Sequence, residues 1–166
     1  MTEPREQRVR LRPAGPGDEG FLRELHASTV QPEIALTGLD AGQMQLLLEQ
    51  QYNARKSAYR LHYPGARYDI VEIDGLEAGV QCTDCSGEQI LLVDLALLPQ
   101  YRNQGTGSVL LTRLIDSARE QRKTLALHVL AGNPAQRLYE RVGFLVTGTT
   151  PPYVRMEWRP ATGAHP

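Results

Sequence analysis

The sequence lacks an excess of either charge. Its 18 Lys and Arg stand against 19 Asp and Glu, a net charge of −1. A chain so balanced has no global field to draw in nucleic acid or an anionic membrane. It also lacks a long apolar run. Leu95-Ala96-Leu97-Leu98 is among the longest, whereas a spanning helix needs about 20 residues. The opening MTEPREQRVRLRP has no signal-peptide stretch, so a cytoplasmic location is the expectation. Two cysteines cannot build a disulfide framework. Cys82-Thr83-Asp84-Cys85 has no second such pair and no nearby His pair to complete a zinc site. It stands near a hairpin turn and reads as two small residues beside it. There is no G-x-S-x-G, no repeat and no low-complexity block.

What remains is an ordinary globular composition: 166 residues, 41% apolar and 22% charged, the length of one domain. Residues 1–7 and 160–166 read as flexible ends around a domain at 8–159. Val9 and Leu11 alternate with arginines, which is strand spacing. Phe21, Leu22, Leu25 and Thr29 share a helical face, and Pro32 to Asp40 reads as a loop. Met44, Leu47, Leu48, Tyr52 and Arg55 mark a helix over 41–61, which Pro64-Gly65 ends. Residues 68–73 and 79–83 read as strands joined by an Asp74-Gly75 turn. Glu72 and Asp74 read as solvated groups. Residues 89–98 form an apolar strand, 107–121 a helix, 124–130 a strand. Asn133-Pro134 starts a helix that Gly143 ends. Residues 144–147 and 153–158 close the chain. The order β-α-α-β-β-β-α-β-α-β-β is that of a mixed α+β fold, with helices covering both faces of one mostly antiparallel sheet.

Chemistry concentrates after the apolar strand. Arg102-Asn103-Gln104-Gly105-Thr106-Gly107-Ser108 is a loop with two glycines entering a helix. Glycines let backbone N–H groups approach a ligand, and the helix start adds unpaired donors and partial positive charge, so the loop can hold an anion such as phosphate. The loop alone leaves the alternatives open. It lacks the third glycine of a dinucleotide fingerprint, since Leu110 stands there, and it lacks the Lys of a nucleotide P-loop. A turn without a ligand is a further reading.

About 25 residues on, Leu125 to Leu130 leads through Asn133-Pro134 to Leu138-Tyr139-Glu140-Arg141-Val142-Gly143-Phe144. The pair of segments resembles the GCN5-related N-acetyltransferases. Arg102 to Gly107 is similar to that family's [QR]-x-x-G-x-[GA], and the later segment to its Asn…Leu-Tyr-x-x-x-Gly-Phe pattern. The likeness spans about residues 89–147.

The resemblance implies an acyl-CoA-dependent N-acyltransferase that uses acetyl-CoA as co-substrate and no metal. By that likeness Arg102, Asn103, Gln104, Gly105, Thr106, Gly107 and Ser108 form the pyrophosphate loop, with the N–H groups of Gln104 to Ser108 as its cradle. The backbone of Leu95, Ala96 and Leu97 would meet the pantetheine arm, as would Asn133, which also reads as a helix cap. Tyr139 would lie near the thioester sulfur, where a phenol can protonate a departing thiolate. A core tyrosine is its plainer reading. His128 is the first candidate for the base that takes the amine's proton, with an ordinary pKa of about 6.5; Asp94 is the second. A hydrogen-bonded sheet histidine and a buried carboxylate–arginine pair are the structural readings of those two. The acceptor would be a small-molecule or peptide amine, met by Glu33, Thr37, His62, Tyr63 or Tyr153. Homodimers are frequent in the family. An acyl-CoA-binding domain without catalysis and a nucleotide- or phosphate-binding module are the alternatives.

Overall fold

The computed structural model describes residues 8–162. The flexible ends expected at 1–7 and 160–166 thus fall outside the described residues, except for 160–162. The elements are β1 (Val9–Pro13), α1 (Glu19–Ile34), α2 (Ala41–His62), β2 (Ala66–Ile73), β3 (Leu76–Asp84), β4 (Ile90–Leu97), α3 (Thr106–Glu120), β5 (Leu125–Leu130), α4 (Ala135–Arg141), β6 (Leu145–Thr150) and β7 (Tyr153–Trp158). Their order is the one the sequence predicts, and the fold is mixed α+β. The seven strands run β1-β2-β3-β4-β5-β7-β6 across one sheet. The β4–β5 pair is parallel, whereas β1–β2, β5–β7 and β6–β7 are antiparallel. The chain divides into two compact units. One holds the residues up to Cys82 with Asp94–Arg102; the other holds Thr83–Val93 and the residues from Asn103 on.

The first unit begins with β1 paired to β2 from Val9↔Ile73 to Pro13↔Asp69. Arg12 fastens this edge: its guanidinium donates to Asp18 at 2.7 and 2.9 Å and to Glu72 at 2.7 Å. Asp74 and Gly75, both at positive φ, make the β2–β3 turn. Phe21, Leu25, Ile70, Val80 and Leu98 form the core cluster. Asp40 caps α2 by accepting from the Gln43 N–H at 2.8 Å, while the Gln43 side chain accepts from the Asp40 N–H at 3.1 Å.

One element differs from the sequence reading. The loop expected from Pro32 to Asp40 is mostly helical: α1 carries Pro32 inside it and runs to Ile34, and a 3₁₀ turn, Ala35–Thr37, follows. Proline costs a helix the hydrogen bond of its own nitrogen and crowds the turn before it. Here only one short turn lies beyond it, and buried Ile34 anchors that turn. The left-handed Gly38, at φ 72°, then ends it.

In the second unit Leu110, Leu111, Ile115 and Ala118 form the buried face of α3, with Leu114 partly covered. The β5–β7 ladder runs from Leu125↔Trp158 to Leu130↔Tyr153. Gly143, at φ 104°, lies where a Cβ would stand 3.3 Å from the Trp158 ring.

Gly79 of β3 sets the tightest approach in the first unit. A Cβ there would stand 2.2 Å from the Ala96 carbonyl oxygen and 2.7 Å from Leu97 Cδ2. The obstacle is mostly backbone, so β3 and β4 must move apart to admit any side chain. Gly79→Ala is expected to lower stability by about 1–3 kcal/mol, read as a lower urea midpoint. An unchanged midpoint would show that the strands yield freely there.

Candidate active site

The loop that opens α3 belongs to the second unit from Asn103 on. Asn103 and Gly105 are left-handed, at φ 57° and 85°. Asparagine tolerates that conformation and glycine accepts it freely. The left-handed Gly105 followed by helical Thr106 is a pair that turns successive N–H groups toward one side. No side chain caps α3, whose first helical bond runs from the Val109 N–H to the Gly105 carbonyl at 3.1 Å. Residues 101–108 contain no carboxylate. The loop thus offers backbone N–H donors with no carboxylate to repel an anion.

Gly107 has a second purpose. A Cβ there would come within 3.0 Å of Leu138 Cδ2. The start of α3 thus closes on α4 at the residue beside Tyr139. Tyr139 is buried, with its ring 5.9 Å from Phe144. Asn133 does cap α4: its Oδ1 accepts from the Ala135 N–H at 2.9 Å. His128 lies exposed on β5, opposite Arg155 of β7. Partial desolvation and the Arg155 charge lower its pKa, so the ring is neutral at pH 7. Arg155 donates to Glu157 and Gln89, each at 2.9 Å.

Strand β4 is shared. Its ladder with β5 has three rungs, Ile90↔Leu125 to Leu92↔Leu127, all in the second unit. From Asp94 onward it belongs to the first unit, where the Leu98 N–H reaches the Ala78 carbonyl at 2.8 Å. Arg102 Nε donates to the Leu97 carbonyl at 2.8 Å, so this side chain closes the strand's end.

Asp94 has the arginine that its apolar strand demands. Its Oδ2 lies 2.9 Å from Arg55 Nη2, and Arg55 also donates to the Tyr59 hydroxyl at 3.1 and 2.9 Å. Burial raises the Asp94 carboxyl despite that partner. Burial pulls Arg55 down, but Asp94 and Tyr59 more than offset it, so the guanidinium stays charged. The pair lines a cavity of about 610 Å³ in the first unit, walled also by His26, Tyr52, Tyr59 and Tyr68. Desolvation pushes Tyr52 up to about 12, so it is a neutral phenol at pH 7.

The expected acceptor residues lie elsewhere. Glu33 and Thr37 are exposed, Thr37 donates to the Ile34 carbonyl, and His62 Nδ1 is engaged with the Ala58 carbonyl at 2.8 Å. None of Glu33, Thr37, His62 and Tyr63 lines the cavity. Sequence reading missed this cavity. The available signal was Arg55 on an apolar helical stripe together with Asp94 in an apolar strand, two opposite charges needing each other. Among the described residues no three His, Cys, Asp or Glu cluster as metal ligands, and no helix is long and apolar enough to cross a membrane. Cys82 is buried and Cys85 exposed.

Residues 64–146 match the acetyltransferase (GNAT) domain family, which takes in β4, the donor loop and the Tyr139 helix. A [ribosomal protein bS18]-alanine N-acetyltransferase of Haemophilus influenzae is 40% identical over 58 residues, 34% of this chain and 40% of that enzyme. The match thus spans well under half of that relative's length. The fold is similar to the PaiA N-acetyltransferase of Thermoplasma acidophilum, solved in complex with coenzyme A (TM-score 0.68, 17% identity, 91% of this chain and 98% of that one). It is similar also to yncA of Salmonella typhimurium, solved with its cofactor acetyl-CoA (TM-score 0.57, 20% identity, 96% and 98%). The chain belongs to the GNAT acetyltransferase family.

The Arg55–Asp94 pair gives a direct test of the cavity floor. Arg55→Met leaves a largely buried carboxylate without its counterion. Arg55 is 37% exposed, so the expected loss is about 1–3 kcal/mol, below that of a fully buried pair. The loss should be larger at pH 8 than at pH 4.5. An acid whose folded pKa is raised costs nothing below its ordinary pKa and progressively more as pH rises toward the folded value. Urea unfolding of Arg55→Met and of Arg55→Met/Asp94→Asn checks this, and the double variant should recover most of the loss.

Proposed function

We propose that this chain is an N-acetyltransferase that passes the acetyl group of acetyl-CoA to a primary amine, by direct attack in a ternary complex. The observation that carries the reading is the uncapped start of α3 behind left-handed Gly105, inside the segment that matches the family. A loop of backbone N–H donors without a carboxylate suits a pyrophosphate. In this reading the N–H groups of Gln104 to Ser108 hold that group. The backbone of Leu95 to Leu97 and the Asn133 side chain position the pantetheine arm.

The acyl-CoA supplies an activated thioester whose carbonyl carbon the amine nitrogen attacks as the carbon–sulfur bond breaks. Tyr139 gives its phenolic proton to the departing sulfur. The amine loses a proton as its new bond to carbon forms. His128, neutral at pH 7, takes that proton, directly or through water. The products are the amide and the free thiol of CoA. Turnover then returns a proton from His128 to the Tyr139 phenolate through solvent.

Acetyl-CoA and CoA, but not ATP or NAD, should raise the melting temperature. At 100 times its Kd a ligand stabilises by about 2.7 kcal/mol, a rise of roughly 5–10 °C for a domain this size. A shift with ATP or NAD and none with CoA would replace the enzyme reading by a nucleotide module. A CoA shift without transfer to any amine would leave an acyl-CoA-binding domain.

Tyr139→Phe should lower kcat by about 100-fold or more with the Kd of acetyl-CoA unchanged. For the wild type, kcat/KM should rise with pH through an inflection below 6.5, because the lowered His128 must be unprotonated to act. His128→Ala should lose that inflection. Retention of both rate and inflection would remove His128 from the reaction.

A further inference from the structure

We propose that the cavity of the first unit is the acceptor pocket, and that it takes a small amine with an aromatic body and one carboxylate, of the aromatic amino acid class. This rests on the acetyltransferase reading above. The first support is position along one strand. Asp94 and Ala96, two residues apart on β4, both line the cavity. The backbone of that same stretch is the one assigned to the pantetheine arm.

The second support is an uncharged ring beside the paired charges. His26 is 9% exposed, lines the cavity and has no hydrogen-bond partner on either ring nitrogen. Burial and the Arg55 charge lower its pKa, so the ring is neutral and offers one donor and one acceptor. The Tyr52 ring meets it edge-on at 5.8 Å and leaves both nitrogens unbonded. Both nitrogens are themselves closed off from the cavity, so the ring serves there as a neutral wall.

The third support is size and lining. About 610 Å³ lies within the range of small-molecule sites, whereas a polypeptide needs an extended groove. Three phenol rings, Tyr52, Tyr59 and Tyr68, face it together with Leu22 and Val80. Such walls suit a flat apolar body.

The fourth support is charge. Arg55, Lys56 and Arg60 line the cavity against Glu19 and Asp94. Glu19 is bound to Lys56 at 2.8 Å, and Asp94 to Arg55 at 2.9 Å. Arg60, exposed at the rim, is the cation in excess. A polyamine finds no uncommitted carboxylate here, whereas a single carboxylate finds Arg60.

The test uses the full chain with saturating acetyl-CoA. Acetylated product is counted by mass spectrometry for phenylalanine, tryptophan, 2-phenylethylamine, spermidine and a hexapeptide beginning with alanine. The two amino acids should give the highest kcat/KM, about tenfold or more above 2-phenylethylamine, the margin of one charged contact. Arg60→Ala should narrow that margin. Leu22→Trp should fill the cavity and end turnover of the aromatic acceptors while the shift with CoA persists, which shows that the variant is folded.

Preference for spermidine or the peptide, or undiminished turnover by Leu22→Trp, would overturn the proposal and leave the enzyme reading standing. Absence of a CoA shift in the wild type would overturn the enzyme reading instead. The pocket is then judged by saturation-transfer NMR. A phenylalanine signal that Leu22→Trp abolishes supports the pocket, and the lack of any signal overturns it.

Discussion

Strand β4 satisfies different neighbours along its length, and most of what the chain can do follows from that. Its first residues are laddered to β5, three rungs long, and its later ones belong with the unit that holds β3. The later half can sit as close as it does only because Gly79 presents no side chain to the Ala96 carbonyl. A β-branched or even an alanine side chain there would push β4 away and with it every residue that β4 carries. The stretch from Asp94 to Leu97 is rich in function for its length. It supplies a partly buried carboxylate, a cavity wall, and a carbonyl that holds the Arg102 side chain.

The Asp94–Arg55 pair shows the cost of that arrangement. A carboxylate in an apolar strand loses its water, and burial raises its pKa even beside a guanidinium. Pairs of this kind seldom stabilise a protein relative to a hydrophobic substitute, although breaking one is damaging. Here the pair fixes Arg55 against the Tyr59 hydroxyl. It thereby sets a positive charge that, after burial, is the second influence lowering the His26 pKa.

Much of the fold was legible because its signals are local. The Asp74-Gly75 turn, the left-handed Gly143 and the apolar stripe of α3 each show in a short stretch of sequence. Pro32 misled for the same reason: the local rule ends a helix there, while the buried Ile34 that carries it onward is a tertiary effect. The donor loop and the Tyr139 helix were legible as a pair of motifs. The cavity was not, because it joins residues from α1, α2, β2, β3 and β4 that no spacing connects. His26 and Tyr52 are ordinary members of helical faces in sequence. Only three dimensions show that the histidine has no partner.

The chemistry of an amine acceptor ties these features together. A lysine-like amine has a pKa near 10.4, so only about one molecule in a thousand is nucleophilic at pH 7. A base is one remedy. An environment that disfavours the ammonium is another, because a neighbouring cation and loss of water both lower an amine's pKa. The cavity of the first unit has both properties, and His26 reports them, since its own pKa is lowered by burial and by Arg55. The one carboxylate that would stabilise an ammonium from β4 is committed to Arg55. In the acceptor pocket proposed above, an amine would thus be prepared for attack by the walls around it.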